Sequence, residues 1–320
     1  MLKVRAASIR DLGKVEQIHL EAGGAARSGT PLARLWTLFS HTLSSLVPIY
    51  QESLIYVAEE DGKLVAFVQA SSQSPRINLG AATGLQVLNL SVKPGHHPDE
   101  VAPPLIDHLC NQALGRGVHR LFVRLPLDDP LTRIFRIEGF HQYATEHVLY
   151  SESPRALTES PPPGDRPVRS RDVRLLYHLY RKVTPAGVAQ VEAPTFREWR
   201  SLKGDWLGRM STRGDGQQQR VLDRVELVGW LRAQIGASTQ PHSLAFLALP
   251  EEAVPGELAD LALSLVGAGP AWCSLRHYDA HMIDALRGRG FTTLLTQSLM
   301  VREMAVRVPL QEKGFVPSFG

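Results

Sequence analysis

Apolar residues follow two different periods along the 320 residues of this chain. Stretches in which apolar and polar residues alternate predict half-buried strands, and stretches with apolar residues three and four positions apart predict amphipathic helices. The predicted strands of the first half are 2–6, 54–59, 64–70, 85–92 and 119–125. The predicted helices run from Ser8 or Asp11 to Gly23-Gly24, over about 31–47, from a Pro- and His-rich loop to Leu114, and from Asp128 to Glu138.

Local signals add detail to this outline. Asp61-Gly62, between two predicted strands, is a strong hairpin signal. Gly139-Phe140 predicts a turn into a final hairpin that ends near Tyr150. In the first helix the apolar period directs four side chains inward: Leu12, Val15, Ile18 and Leu20.

The second half of the chain repeats the order of the first. Its predicted strands are 220–225, 227–235, 243–249, 271–275 and 294–306, and its predicted helices are 171–183, 254–266 and 279–289. Asp128 and Asp279, the predicted helix caps, each precede a Gly-Phe pair by 11 positions (139 − 128 and 290 − 279). Other matches are Pro94 with Pro250 and Val65-Ala66-Phe67 with Val228-Gly229-Trp230. The repeat predicts a duplicated α/β unit with a mixed, largely antiparallel sheet and helices on both faces.

The segment 152–166, ESPRALTESPPPGDR, is rich in Pro, Ser and charge and has no apolar period. Such a composition is typical of a linker. It divides the chain into an N-terminal domain, 1–151, and a C-terminal domain, 167–320. The length agrees with this division, since one domain commonly holds about 100–200 residues.

Composition excludes several classes of partner. The net charge is only +3 and the arginines are interspersed with acids, so nucleic acid is not expected. No apolar run reaches about 18 residues, so no membrane span is expected. The N-terminus lacks the apolar core of a secretory signal, which favours a cytoplasmic location.

Cysteine and histidine usage predicts no metal site. Cys110 and Cys273 lie in apolar surroundings and are expected to be buried, reduced thiols. A crowded group of potential ligands occurs once in the first half, without a known metal motif: His96, His97, Asp99 and His108.

Three segments of the first half resemble, in order, motifs of the GNAT superfamily of N-acetyltransferases. Residues 64–68, LVAFV, resemble its hairpin strand G-x-[ILV]-[VI]-G, and residues 89–94, NLSVKP, resemble its fourth strand L-x-V-x-P. The segment from Asp128 to Phe140 resembles its N…A…LYEKLGF helix and turn. The resemblance spans nearly all of both halves and implies two tandem GNAT-like domains.

The resemblance implies an acetyl-CoA site in a notch between the fourth and fifth strands. Leu90 and Val92 of the fourth strand would hold the pantetheine arm, and Asp128 belongs to the same site. The family loop Q/R-x-x-G-x-G/A binds the diphosphate at a helix start. It aligns with residues 97–105, whose candidate contacts are His97, Glu100, Val101 and Ala102.

This aligned loop departs from the family pattern. Glu100 stands where the first glycine belongs, and the three prolines of the segment lack an N–H. Acids and prolines are equally typical of a self-capped helix start that binds no phosphate. In the second half, counted from Pro250, the loop keeps Gly256 but has Leu258 at the small position and is acidic. The first half is therefore the better cofactor candidate.

The catalytic candidates are Asn89 and Ser91, which share one strand face and by resemblance would line the acceptor cleft. Inward packing of these polar groups is the alternative, and His97 is a candidate phosphate contact or base. The tyrosine that serves the family as general acid is replaced by Phe135 and Leu286 (139 − 4 and 290 − 4).

The resemblance implies an N-acyltransferase that moves an acetyl group from acetyl-CoA to an amine of a small molecule. The amine would attack the thioester directly, and the missing acid slows the reaction without preventing it. The altered loops suit equally a non-catalytic GNAT-fold binding or scaffold protein. The expected partner is a small-molecule amine, and the sequence leaves a homodimer open.

Overall fold

The computed structural model describes residues 1–24, 53–72, 84–158, 160–202, 216–236, 240–251 and 253–304. The strands in these ranges form one continuous sheet: β1 (Leu2–Ala6), β2 (Ser53–Glu60), β3 (Lys63–Ser72), β4 (Gly84–Val92), β5 (Arg120–Pro126), β6 (His141–Ser151), β7 (Asp165–Pro167), β8 (Gln217–Asp223), β9 (Leu227–Gln234), β10 (His242–Ala248), β11 (Ala271–Arg276) and β12 (Thr292–Glu303). The described α-helices are α1 (Leu12–Gly24), α2 (Pro98–Gly115), α3 (Leu131–Ile137), α4 (Val173–Val183), α5 (Ala186–Glu192), α6 (Phe196–Leu202), α7 (Val254–Val266) and α8 (Ala280–Arg287). The helix predicted over 31–47 lies outside the described residues.

The two halves exchange their last strands. Across the sheet the order is β1-β2-β3-β4-β5-β12-β6-β11-β10-β9-β8-β7. β12 pairs with β5 and β6 pairs with β11, so each half completes the sheet of the other. The hairpin predicted after Gly139-Phe140 is wrong, because residues 141–151 form the single strand β6. Periodicity predicts that a strand exists, but it does not identify a pairing partner distant in sequence.

A pseudo-twofold axis passes between β6 and β12. The two Gly-Phe turns are 151 positions apart (290 − 139), and Glu146 and Gln297 have the same separation (297 − 146) while facing each other in the β6–β12 register. Gln297 Nε2 donates a hydrogen bond to Glu146 Oε2, and both side chains are buried. Two identical halves would place like carboxylates opposite each other, which raises the cost of ionising both. Duplication in one chain allows an amide to face the carboxylate.

Helices cover both faces of the sheet, as predicted. In the first half α1 packs on one face, where Val15 meets Phe67 in a small core. α2 packs on the other face, in the core that contains Ala66. α7 takes the corresponding position in the second half, where Leu258 lies against Gly229.

Local turn chemistry forms as the sequence predicts. Asp61 and Gly62 have φ of 51° and 78°, as a tight hairpin turn requires. The two Gly-Phe turns also match: Phe140 N donates to Phe135 O at 2.9 Å, and Phe291 N donates to Leu286 O at 3.2 Å. Both are helix C-terminal motifs built around a glycine with positive φ.

Two details of the predicted helices are wrong. Leu20 in α1 is 44% exposed, whereas Val15 and Ile18 are buried. Asp128 does not cap α3, because Thr132 N donates to Asp129 O and Leu131 N to Asp129 Oδ1. The residue equivalent to Asp279 is thus Asp129, one position later than the spacing from Gly-Phe indicated. The difference arises because α8 is one residue longer than α3.

A repeated ion-pair cluster fixes the start of each half. Arg5 binds Asp11 at 2.6 and 3.0 Å, and Arg166 binds Asp172 at 2.6 and 3.0 Å. Each arginine also holds an acid on the neighbouring strand, since Arg5 pairs with Glu59 on β2 and Arg166 Nε bonds Asp223 on β8 at 2.8 Å. The hydrogen bonds from Arg5 hold the pKa of Asp11 far below its usual range. Sequence reasoning missed this cluster, although an Arg and an Asp six positions apart recur in both halves (11 − 5 and 172 − 166).

The segment predicted as a linker makes specific contacts with the second half. Leu157 N donates to Asp260 Oδ1 at 2.7 Å, and Arg155 N donates to Arg289 O at 3.2 Å. Asp260 and Arg289 form a buried pair at 2.7 Å, so these backbone groups attach to a fixed point. The segment ends in β7, which starts at Asp165. Among the described residues, no helix is long and apolar enough to cross a membrane.

Candidate functional site

A notch opens in the first half where two parallel strands diverge. β4 and β5 pair only from Gly84–Val87 to Arg120–Val123. Beyond that point Leu88–Val92 and Arg124–Pro126 have no mutual register, and we call the space between them the first notch. It lies where the GNAT resemblance places the acyl-thioester site.

A β-bulge marks the point of divergence. In the β3–β4 register, Gln69 faces Asn89 and Ala70 faces Val87, so Leu88 is skipped. A bulge leaves the extra residue unpaired in the ladder and bends the strand. Beyond Val87 the edge of β4 that faces β5 has no ladder partner in β5, so its backbone polar groups border the first notch.

The bulge also sets which side chains of β4 point to each face of the sheet. Asn89 Nδ2 donates to Gln69 Oε1 at 2.8 Å, and Ser91 lies on the same strand face. Leu90 and Val92 point to the opposite face and pack against the core under α2. Asn89 and Ser91 therefore share one face of β4, as predicted, and the roles assigned to these four residues stay predictions.

The predicted loop 97–105 is in fact the N-terminus of α2. His97 is the N-cap residue, Pro98 is the first helical residue, and Glu100 N and Val101 N both donate to His97 O at 3.1 and 3.3 Å. Pro98 has no N–H, so at most the Asp99 N–H remains in the first turn for an anion. Val101 and Ala102 are buried, whereas His97 and Glu100 are exposed. This geometry agrees with the self-capped alternative and provides few donors for a diphosphate.

The other polar residues near this entrance have partners. His96 Nδ1 lies 3.4 Å from Glu60 Oε2, and Asp99 pairs with Arg133 on α3. His108 packs edge-on against Tyr56, with ring centroids 4.7 Å apart. Within the described ranges, no three His, Cys, Asp or Glu side chains are grouped so that they could hold a metal ion.

A second notch occupies the equivalent place in the other half. β10 and β11 pair only from His242–Leu244 to Ala271–Cys273, after which Ala245–Ala248 and Ser274–Arg276 diverge. The register between β9 and β10 has no bulge. A cavity of about 100 Å³ lies in this second notch, lined by Lys182, Val183, Phe246, Ala248, Leu249, Pro250, Pro255, Leu275, Tyr278, Asp279, His281 and Met282.

The entrance of the second notch differs from that of the first. Leu258 stands in the first turns of α7 at the position matched by Ala102 in α2, and both are fully buried. Pro255 lacks an N–H and Glu257 N donates to Ala253 O at 3.0 Å, so at most the Gly256 N–H remains there for an anion.

One carboxylate follows the fifth strand in each half, Asp129 in the first and Asp279 in the second. Burial raises the pKa of both, that of Asp279 to about 6. Asp279 Oδ2 accepts a hydrogen bond from Arg276 N at 3.1 Å. The residue equivalent to Asp279 is Asp129, and the role assigned to its neighbour Asp128 in cofactor binding stays a prediction.

The position of the family's acidic tyrosine is part of the core in both halves. Phe135 is 1% exposed and Leu286 0% exposed. Phe135 packs edge-on against Phe140 with ring centroids 5.0 Å apart. Neither residue has a titratable proton, and neither side chain reaches solvent.

Comparisons with known proteins identify the fold. No family model and no curated protein matches this sequence. Among solved structures, the GCN5-related N-acetyltransferase from Sphaerobacter thermophilus is similar with a TM-score of 0.58 and 16% identity, over 94% of this chain and 95% of that chain. A tandem GNAT protein from the clavulanic acid biosynthesis pathway is similar with a TM-score of 0.51 and 15% identity, over 96% and 99%. A glucosamine N-acetyltransferase region of a fungal multi-domain β-N-acetylglucosaminidase has a TM-score of 0.59 and 13% identity, over 94% of this chain and 38% of that chain.

These similarities define the class of fold. The chain consists of two tandem domains with the GNAT fold, which confirms the predicted α/β architecture and the resemblance. At identities of 13–16% the likeness shows the fold alone. Chemistry therefore has to be argued from the two notches.

Proposed function

We propose that the chain is an acetyl-CoA-dependent N-acyltransferase of a small-molecule amine and that the first notch carries the reaction. The observation that supports this most is the bulge at Leu88, located where β4 leaves β5. A strand with released backbone donors can polarise a carbonyl oxygen in a way that a regular ladder cannot. The second notch lacks the bulge.

The strand part of the first notch fits a pantetheine arm better than its entrance fits a diphosphate. The β4 backbone that β5 leaves unpaired can provide hydrogen bonds, and Leu90 and Val92, only partly buried against the core under α2, can provide apolar surface. Near the entrance, Lys93, His96 and His97 carry nitrogen atoms that suit an anion, while Glu100 opposes one. Acetyl-CoA supplies the acyl thioester. We therefore expect weak binding that depends mainly on the strands.

The chain's own residues would act on the acceptor amine. Asn89 and Ser91 lie on the strand face opposite α2, where they can donate or accept hydrogen bonds from an amine next to the thioester. Asn89 is oriented by Gln69 at 2.8 Å. With a phenylalanine at the acid position, positioning of the amine contributes more than proton transfer.

A calorimetric titration with acetyl-CoA, combined with thiol release in the presence of primary amines, tests this proposal. Glu100→Gln removes a negative charge beside the expected diphosphate and should tighten acetyl-CoA binding about threefold to tenfold. The matched control is Glu257→Gln, which removes a first-turn acid at the second notch and should leave the affinity unchanged. If Glu257→Gln changed the affinity for acetyl-CoA and Glu100→Gln did not, the acyl-transfer site would have to be assigned to the second notch.

A scaffold without catalysis is the second candidate, and the buried Phe135 and Leu286 favour it. Absence of both heat and thiol release with every amine would establish this alternative against the transferase. Binding of acetyl-CoA followed by thiol release would exclude it.

A further inference from the structure

The cavity of the second notch combines apolar walls with one carboxylate. Phe246, Leu249, Leu275 and Met282 are among the residues that line it, and Asp279 lines the same space. Pockets of this composition, with few polar groups in an apolar lining, are typical of small-ligand sites.

The Asp279 carboxylate forms no ion pair among the described residues, and the charges of Arg276 and His277 act on it only from farther away. Its hydrogen bond at 3.1 Å comes from the neutral backbone N–H of Arg276. The Arg276 guanidinium instead pairs with Glu146 and with Glu192, the latter at 2.9 Å. Lys182, at the edge of the cavity, pairs with Glu226 at 2.5 Å. Lys182 and Arg276 therefore pair with acids other than Asp279.

A desolvated carboxylate without a counter-ion is costly, and a cationic ligand would offset that cost. The aromatic rings of Phe246 and Tyr278 line the same cavity. Aromatic faces attract organic cations, so they suit an alkylammonium as well as a neutral group.

The second notch is poorly suited to a diphosphate, the anion whose binding is proposed for the first notch. β10 has no bulge, Leu258 fills the small position of the helix, and Glu257 stands in the first turn of α7. The Asp279 carboxylate in the cavity disfavours a diphosphate, whereas the charge of Glu257 is compensated by its ion pair with Arg224.

We propose that the second notch binds a small alkylammonium ion, with Asp279 as the counter-ion and the apolar walls around the alkyl group. This site is separate from the acyl-transfer site proposed for the first notch and does not depend on acyl transfer there.

Ligand-observed NMR titration of the whole chain tests the proposal, in the absence of acetyl-CoA. The probes are n-butylammonium, its neutral isostere n-butanol, and pantetheine, which represents the arm of acetyl-CoA. We expect n-butylammonium to bind at least tenfold more tightly than n-butanol. Asp279→Asn keeps an acceptor for Arg276 N while removing the charge, and should weaken n-butylammonium binding at least tenfold.

Two matched variants serve as controls. Asp129→Asn changes the equivalent carboxylate of the first half, and Asp284→Asn changes an exposed acid of α8; each should alter n-butylammonium affinity less than twofold. Equal binding of n-butanol and n-butylammonium would overturn the proposal, as would an Asp129→Asn effect as large as that of Asp279→Asn. Preferential binding of pantetheine, unaffected by Asp279→Asn, would overturn it in favour of an acyl-CoA arm. A near-UV circular dichroism spectrum unchanged by Asp279→Asn verifies that the variant is folded.

Discussion

The two notches arose from one repeated unit but differ at three matched places. The first has a bulge in its fourth strand, a Gln69–Asn89 hydrogen bond and an alanine in the facing helix turn. The second has a regular strand, Arg232 opposite Ala245 at the equivalent register, and Leu258 in the helix turn. The first notch thus has an irregular backbone at the bulge, whereas the second has a regular strand and a larger packed side chain.

This difference shows how a duplicated fold can separate stability from chemistry. A bulge sacrifices ladder hydrogen bonds, so it persists where the released groups are used. In a copy whose backbone groups are not used in this way, a larger side chain can be packed at the equivalent position. The first notch is therefore the better candidate for acyl transfer, and the second has room for a different ligand.

The largest expected effect concerns the repeated ion-pair clusters. Asp172 is 0% exposed and Asp11 6% exposed, and Arg166 is more buried than Arg5. Breaking a buried pair costs about 3–5 kcal/mol, because the remaining charge is left without its partner. We expect Asp172→Asn to lower the free energy of unfolding by about this amount and Asp11→Asn by about 1–3 kcal/mol. Urea denaturation measures both, and equal losses would show that the two clusters are energetically equivalent.

The next prediction tests whether α7 packs more tightly against its part of the sheet than α2 does. A Cβ on Gly229 would lie 2.7 Å from Leu258 Cδ1. Gly229→Ala should therefore destabilise the protein by about 1–3 kcal/mol through overpacking. Gly229→Ala combined with Leu258→Ala recreates the Ala66 and Ala102 pair of the first half, so the loss should be smaller than the sum of the single variants. Additive losses in the double-mutant cycle would contradict this packing.

A smaller effect concerns the carboxylates of the two notches and depends on pH. Burial raises the pKa of Asp279 from 3.8 to about 6. Folding then favours the protonated carboxyl, so the contribution of Asp279 to stability decreases as pH rises from about 4 to about 6 and stays reduced above that. Asp279→Asn should be more stable than the wild type by about 1–2 kcal/mol at pH 7.5 and no more stable below pH 4.

Comparing the two proteins at each pH isolates this carboxyl, because every other titratable group is common to both. Thermal or urea unfolding at pH 4, 6 and 7.5 provides the measurement. Asp129→Asn should show the same sign in the first half. A stability gain of Asp279→Asn that is constant across this range would refute a titrating carboxyl.

The smallest effect lies at the entrance of the first notch. Asp99 and Arg133 form an ion pair with both side chains more than half exposed, 57% and 65%. Pairs of this kind contribute about 0–1 kcal/mol. Asp99→Asn should therefore change the free energy of unfolding by less than about 1 kcal/mol, measured by urea denaturation at low and high salt. A larger loss would mean that the acid caps α2 through its charge.

The sequence predicted most of the helices and strands but few of the strand pairings and side-chain contacts between them. The strand pattern, the Asp61-Gly62 turn and the Gly-Phe helix ends depend on neighbouring residues, so local chemistry is sufficient to predict them. Asn89 and Ser91 share one face of β4, as the alternation of the strand predicted. The helix cap was misplaced at Asp128, because one additional residue in α8 shifts the match to Asp129.

The amino-acid sequence by itself determined the duplicated α/β unit, since period, turn residues and spacing recur within each half. Only the tertiary structure decided that β6 and β12 cross to the opposite half, that Leu88 is a bulge, and that Asp279 lies in a cavity and forms no ion pair within the described part of the chain. The physical reason is that hydrophobic period and turn propensity are local properties. Strand partners, ladder register and the charges around a buried group depend on residues that are distant in the chain and close only after folding.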